Sequence, residues 1–275
     1  MPGNNHTLSE AALCRLCEEV QVISMQVGKF IREERKKFKP SDVELKGVSN
    51  LVSYVDKTAE KQFVEKLEAV FPEAGFIAEE DASLQKAGRY NWVIDPLDGT
   101  TNFVHDFPCY ATSVALLDGT EILLGVVYAI NADECFYAWK NGGAWKNGER
   151  ISVSKTGAIK DSLIATGFPY DALNRHETYM KLYSEIQQGS HGIRRAGSAA
   201  TDTAYVACGR FEAYYEYGLQ AWDMAAGALL VKEAGGTVTD FSGGNDFLAK
   251  REFLCGTPGV HAELLERIKN YFPVS

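Results

Sequence analysis

The chain has 275 residues, 45% hydrophobic and 24% charged, with a net charge of −9 at neutral pH. That length builds one large domain or two modest ones with a good core, and the composition is ordinary for a soluble globular protein. An acidic chain lacks the basic excess that releases counterions from nucleic acid, and it suits an anionic substrate only if a cation reverses the local charge.

No apolar run reaches bilayer length and the N-terminal MPGNNHTLSE is polar, so neither a membrane span nor a signal peptide is expected. The six cysteines (14, 17, 109, 135, 208 and 255) are scattered, which fits reduced thiols in a cytoplasmic protein. Cys14 and Cys17 form a CxxC without the second pair that structural zinc requires.

Thr7-Leu-Ser-Glu10 has the spacing of a capping box, and apolar residues then recur at three and four through Ile31. This predicts a long first helix ending in the basic EERKKFK before Pro40. VELKGVSNLVSYVD has no helical period and reads as a hairpin or exposed loop, with Asp56 closing a strand-like run. A second helix is expected from about Lys57 to Phe71, stopped by Pro72. GFIAEE and then WVID are strand-like. From Tyr110 to Val153 the pattern is a meander whose strands are broken by Asp118-Gly119, Asn141-Gly142-Gly143 and Asn147-Gly148. After Ser154, strands alternate with helices near Arg175–Gln187, Ser198–Cys208, Trp222–Ala234 and Val260–Tyr271. Two halves emerge, 1–153 and 154–275, without a Pro-rich or Ser-rich linker, so they are expected to pack closely.

Carboxylates gather at the ends of these apolar elements. Asp95 and Asp98 close WVIDPLD, Glu79 and Glu80 close GFIAEE, and Asp223 follows Trp222 at a helix start. Singly, each has an ordinary explanation as a cap, a turn or a solvated loop residue. Together they would raise one another's pKa, a cost that a hard divalent cation such as Mg²⁺ removes. Behind Asp98 comes Gly99-Thr100-Thr101-Asn102, where a Gly and hydroxyl residues at a helix start offer backbone amides to phosphate. Metal-holding carboxylates beside phosphate-holding amides read most simply as a phosphoryl-transfer site. The aspartates are three apart, not the two that a haloacid-dehalogenase-type phosphatase needs. No cysteine has the context of a cysteine phosphatase, and the five histidines form no nucleophile or zinc motif. Water activated by metal remains.

At this point the chain resembles the inositol monophosphatase family. WVIDPLDGTTNFVHDFP at 92–108 looks like its first signature, and AWDMAAGALLVKEAGG at 221–236 looks like its second. FIAEED, GSAA at 197–200 and EAYYEYG at 212–218 fit in order, so the resemblance covers nearly the whole chain. It implies an α+β fold, a layered α-β-α-β-α sandwich of the inositol monophosphatase and fructose-1,6-bisphosphatase type, with the site between the halves and a homodimer as the usual state. It implies two to three Mg²⁺ ions and inhibition by Li⁺. Glu79, Asp95 and the Leu97 carbonyl would hold the first ion, and Asp95, Asp98 and Asp223 the second, with a looser third near Glu79. Thr100 with Glu79, supported by Asp56, would activate the attacking water. Gly99 and Thr100 would receive the phosphate through their N–H groups; Gly197, Ser198, Ala199 and Glu216 would receive the alcohol. Lys46 would lie on a mobile loop that closes over the site.

Thr101-Asn102-Phe103 looks like the inositol monophosphatase branch, so the expected substrate is myo-inositol 1-phosphate or a close polyol monophosphate. Relatives acting on 3′-phosphoadenosine 5′-phosphate, fructose 1,6-bisphosphate or histidinol phosphate are the alternatives. From a different class, some bacterial relatives bind the transcription machinery, for which the basic clusters Arg32–Lys39 and Arg194-Arg195 are the only footholds.

Overall fold

The computed structural model describes residues 8–39, 41, 43–45, 51–169 and 175–272. It opens on helix α1 (Glu10–Arg35), which buries Leu13, Leu16, Val20, Ile23, Val27 and Ile31 along one stripe. Its cap is Ser9, whose hydroxyl accepts the Ala12 N–H; Thr7 lies outside the described residues. An antiparallel ribbon follows, β1 (Val43–Leu45) with β2 (Leu51–Ser53). Lys46, expected on a mobile loop, also lies outside the described residues. Helix α2 (Tyr54–Val70) starts earlier than its apolar period suggests, and Asp56 stands in its first turn instead of closing a strand. The reason is a reciprocal cap: Ser53 Oγ accepts the Val55 N–H, while Asp56 accepts the Ser53 N–H at 2.9 Å.

Next come β3 (Gly75–Ala78), β4 (Tyr90–Asp98), the short helix α3 (Thr100–Val104), and β5 (Ala111–Asp118). The meander continues through β6 (Glu121–Ala129), β7 (Glu134–Trp139), β8 (Gly143–Lys146) and β9 (Glu149–Ile151). These strands form one seven-stranded sheet in chain order, antiparallel except for the parallel pair β3–β4. The remaining elements are β10 (Leu163–Thr166), α4 (His176–Gln188), β11 (Gly192–Arg194), α5 (Ala199–Ala207) and β12 (Ala213–Tyr217). They end with α6 (Ala221–Glu233), β13 (Thr237–Thr239), α7 (Phe247–Lys250), β14 (Glu252–Gly256) and α8 (Pro258–Tyr271). Their five strands lie in the order β11-β10-β12-β14-β13.

The layers follow from which faces are apolar. Helices α1 and α2 cover one face of the large sheet, and α5 and α6 fill the space between the sheets. Helices α4 and α8 close the far face of the small sheet. The result is an α-β-α-β-α sandwich. The middle of α6, from Met224 to Val231, is apolar and buried on every side, as a segment enclosed by both sheets must be. The two halves of the chain share this middle core, since Val93 and Val127 pack there with Tyr214 and Phe253.

Strand β4 carries the site. All nine of its residues are buried, and its side chains alternate between two cores. Trp92 and Ile94 face α1 and α2, whereas Val93 faces the middle layer. Asp95 continues on the Val93 face, toward α6. A bulge between Asp95 and Asp98 then breaks the register with β5 and re-aims the chain.

Candidate active site

Asp95, Asp98 and Asp223 come together at the end of β4, each offering a carboxylate oxygen within 4.8 Å of the others. The first two come from β4 and its bulge, and the third from the first turn of α6. Donors in the chain hold each in place. Leu97 N–H donates to Asp95 Oδ1 at 2.9 Å, and Gln220 N–H to Asp223 Oδ2 at 2.7 Å. Asp98 Oδ2 accepts the Ser198 hydroxyl at 2.6 Å and the Ala200 N–H at 2.8 Å. Asp223 is therefore both a helix cap and a member of the cluster. Among the described residues, Asp95 Oδ2 and Asp223 Oδ1 accept no hydrogen bond.

Burial, then repulsion from Glu79, Asp98 and Asp223, pushes Asp95 well above the usual carboxylate range. Asp223 is raised likewise by burial and by Asp98 and Glu79. Burial brings Asp98 up to about 6 against the donors Ser198, Ala200 and Ala199. Glu79 stands outside the tight trio but close enough to press on two of its members. The register explains this, because Ala78 pairs with Ile94 in the parallel ladder and Glu79 follows beside Asp95. Rigidly held carboxylates that repel one another, with all-oxygen donors, fit a hard divalent cation such as Mg²⁺.

Beside the trio, Gly99 turns the chain into α3 at φ 93°, a left-handed conformation natural to glycine. A Cβ there would also sit 2.9 Å from the Cys109 carbonyl oxygen. The first peptides of α3, at Gly99 and Thr100, thus face outward from the helix start without intrahelical acceptors. Thr100 Oγ1 has two acceptors in reach, Asp56 Oδ1 at 2.9 Å and the Leu97 carbonyl at 3.0 Å. It has one proton, and the carboxylate is the stronger acceptor. With the proton directed to Asp56, the Leu97 carbonyl is left for another partner, and lone pairs on Thr100 are left to accept one. Burial raises Asp56 against the hydrogen bonds from Ser53 and Thr100. Ser53 Oγ donates to its other oxygen at 2.6 Å.

Toward the small sheet stand Gly197, whose carbonyl oxygen would lie 3.2 Å from a Cβ at Gly99, Ser198 and Ala199 beside Asp98, and Glu216. Ser198 caps α5 and spends its hydroxyl on Asp98, which places it as a support of the carboxylate cluster. Glu216 on β12 is buried, accepts a hydrogen bond from the Tyr214 hydroxyl, and is pushed by burial up to about 7. It lies so close over Gly167 that a Cβ there would be 1.9 Å from Glu216 Oε2. Three residues neighbouring the site escaped the sequence reading. Ser53 was visible as half of an S-x-x-D cap. Gly167 and the buried Asp202, pushed up by burial and by Asp98 and Glu216, carry no local signal because their neighbours are distant in sequence.

The chain as a whole is similar to known proteins. The sequence model described as the inositol monophosphatase family matches residues 14–271. The chain is 39% identical over 249 residues to an inositol-1-monophosphatase of Rhizobium meliloti, covering 90% of this chain and 94% of that one. It is 38% identical over 253 residues to Nus factor SuhB of Pseudomonas aeruginosa, with coverage of 90% and 93%. The crystal structure of extragenic suppressor protein suhB from Bartonella henselae superposes with a TM-score of 0.87 at 38% identity, covering 92% of this chain and 97% of that one.

Proposed function

The chain belongs to the inositol monophosphatase family, and we propose that it is a Mg²⁺-dependent phosphomonoesterase acting on myo-inositol 1-phosphate or a close polyol monophosphate. The products are the alcohol and inorganic phosphate. The observation that carries this reading is the trio Asp95, Asp98 and Asp223 set against the Gly99–Thr100 turn. Asp95, Asp98 and Asp223, with Glu79 and the Leu97 carbonyl, would hold two to three Mg²⁺ ions. Bound there, Mg²⁺ supplies charge neutralisation for the phosphoryl oxygens and makes water a better nucleophile.

The chain's own residues do the rest. The N–H groups of Gly99 and Thr100 hold the phosphate at the positive end of α3. Thr100 Oγ1, its own hydrogen donated to Asp56, accepts a hydrogen bond from the attacking water and orients that water in line with the ester bond. Glu79 assists as the nearby base. Gly197, Ser198 and Ala199 border the alcohol, and Glu216 accepts hydrogen bonds from its hydroxyls. The half 1–153 contributes Asp95 and Asp98, and the half 154–275 contributes Asp223 and the alcohol wall. We place the enzyme in the cytoplasm as a homodimer, with Li⁺ as an inhibitor.

A phosphate-release panel over inositol, nucleotide, histidinol and sugar phosphates, with and without Li⁺, tests the assignment. Preference for the inositol ester is expected, whereas equal turnover of 3′-phosphoadenosine 5′-phosphate at low concentration contradicts the narrower substrate claim. Relatives named Nus factor SuhB favour a second reading, a role as partner of the transcription machinery. In the first of its two basic footholds four cations already face acids of this chain: Arg32 pairs with Asp133, Arg35 with Asp106, Lys36 with Glu33 and Lys37 with Glu34. A cellular role that survives Asp95→Asn would support the partner reading over the enzymatic one.

A further inference from the structure

One side chain ties the phosphate turn to the alcohol wall. Asn102, in the middle of α3, donates through Nδ2 to the Cys109 carbonyl at 2.6 Å and to the Ala196 carbonyl at 2.8 Å. The Gly197 carbonyl lies 3.3 Å from the same nitrogen. Two of these carbonyls belong to the second half of the chain, and the donor stands two residues beyond Thr100. Gly197 is at φ 87°, and a Cβ there would meet Asn102 Nδ2 at 3.0 Å and Arg195 at 2.9 Å. The loop is thus pressed directly onto the amide.

The neighbouring anchor is independent of Asn102. Ser198 Oγ accepts from Thr201 N–H and donates to Asp98, bonds internal to the α5 cap and the carboxylate cluster. Losing Asn102 therefore frees the peptides at 196–197 while leaving Asp98 supported.

We propose that Asn102 is a positioning residue that sets selectivity for the alcohol half of the substrate, by fixing the Gly197 loop at a defined distance from the Gly99–Thr100 turn. This rests on the phosphatase reading above. Asparagine suits the task because its NH₂ group presents two hydrogens to clustered carbonyls. In Asn102→Asp an oxygen of nearly identical size replaces that donor and faces carbonyl oxygens. Asn102→Ala removes the donor without adding repulsion.

The test compares myo-inositol 1-phosphate with p-nitrophenyl phosphate, an ester of the same phosphate lacking a polyol. For both variants KM for the inositol ester should rise about 10–100-fold, the size of effect expected from a small misplacement of a binding group. KM for the aryl ester should change by less than about threefold, as for a substitution remote from its contacts. The kcat values should hold for both esters. Equal loss on the two esters in folded variants, or no change on either, overturns the inference. If the wild-type protein releases phosphate from neither ester, the phosphatase reading falls and this inference with it, a result distinct from an active enzyme indifferent to Asn102.

Discussion

Two buried aspartates in this molecule have opposite electrostatics. Asp240, after β13, is fully buried, yet its carboxylate accepts the Ser242 N–H at 2.8 Å and the Gly244 N–H at 2.9 Å, and faces the Lys250 ammonium at 2.9 Å. Burial alone would raise it, but these donors bring it down to about 2. Asp95 is as deeply buried, with one backbone donor and three carboxylates pressing upon it. The chain itself supplies the positive charge and donors around Asp240, whereas around Asp95 it supplies one backbone donor and mostly repulsive carboxylates. Burial therefore does not distinguish the two aspartates; what differs is whether the chain itself supplies the compensating positive charge.

The largest effect separates the two by substitution. Asp95→Asn should lower Mg²⁺-dependent kcat by at least about 10³-fold, since metal charge stabilisation is worth several kcal/mol. Its metal-free stability should be unchanged or higher, because a repulsive charge is gone. Asp240→Asn should do the reverse, keeping kcat while losing about 1–3 kcal/mol of stability with its charged hydrogen bonds. Phosphate release and denaturant unfolding of both variants check this pair.

Next, Thr100→Val should cost about 10²-fold in kcat, the scale expected when a reacting group is misplaced by about 1 Å. Mg²⁺ affinity should stay nearly intact, as read from the activation curve. Such a loss would separate the water-orienting arm from the cation-holding one.

The pH response sharpens the comparison through its sign. Asp98 has a folded pKa of about 6, above its unfolded value, so the metal-free protein binds more protons when folded. Its contribution is present below the unfolded pKa and is lost as pH rises through about 6. Asp240, held at about 2, contributes above the unfolded value and loses that contribution as pH falls toward 2. Urea midpoints measured from pH 3 to 7 in EDTA should fall over the upper part of the range, and Mg²⁺ should abolish that fall. A metal-free protein that grows steadily more stable up to pH 7 would break the contrast.

The smallest effect concerns the proposed alcohol side of the site. Gly167→Ala forces Glu216 aside, and KM for the inositol ester should rise about tenfold, equivalent to 1.4 kcal/mol. Steady-state kinetics with little change in kcat are expected.

Much of this was legible in the sequence because the informative patterns are local. The three-and-four stripe of α1, the dipeptides that turn the β5–β9 meander, and the two signatures around Asp95 and Asp223 each lie within a short window. Asp56 was misplaced because a strand-like apolar run concealed the Ser53 cap, and caps override propensity at a helix start. The short helix α7 has too few residues for a period to show. The bonds from Ser198 to Asp98 and from Asn102 to Ala196 span about a hundred residues, and only the fold brings those partners together.

Calorimetric titration of Mg²⁺ into the EDTA-stripped, re-dialysed protein at neutral pH tests the central claim most directly, with Asp95→Asn and Asp240→Asn run alongside. Saturable binding in the wild type and in Asp240→Asn, lost in Asp95→Asn, is the predicted result. Undiminished binding in a folded Asp95→Asn protein would contradict the account.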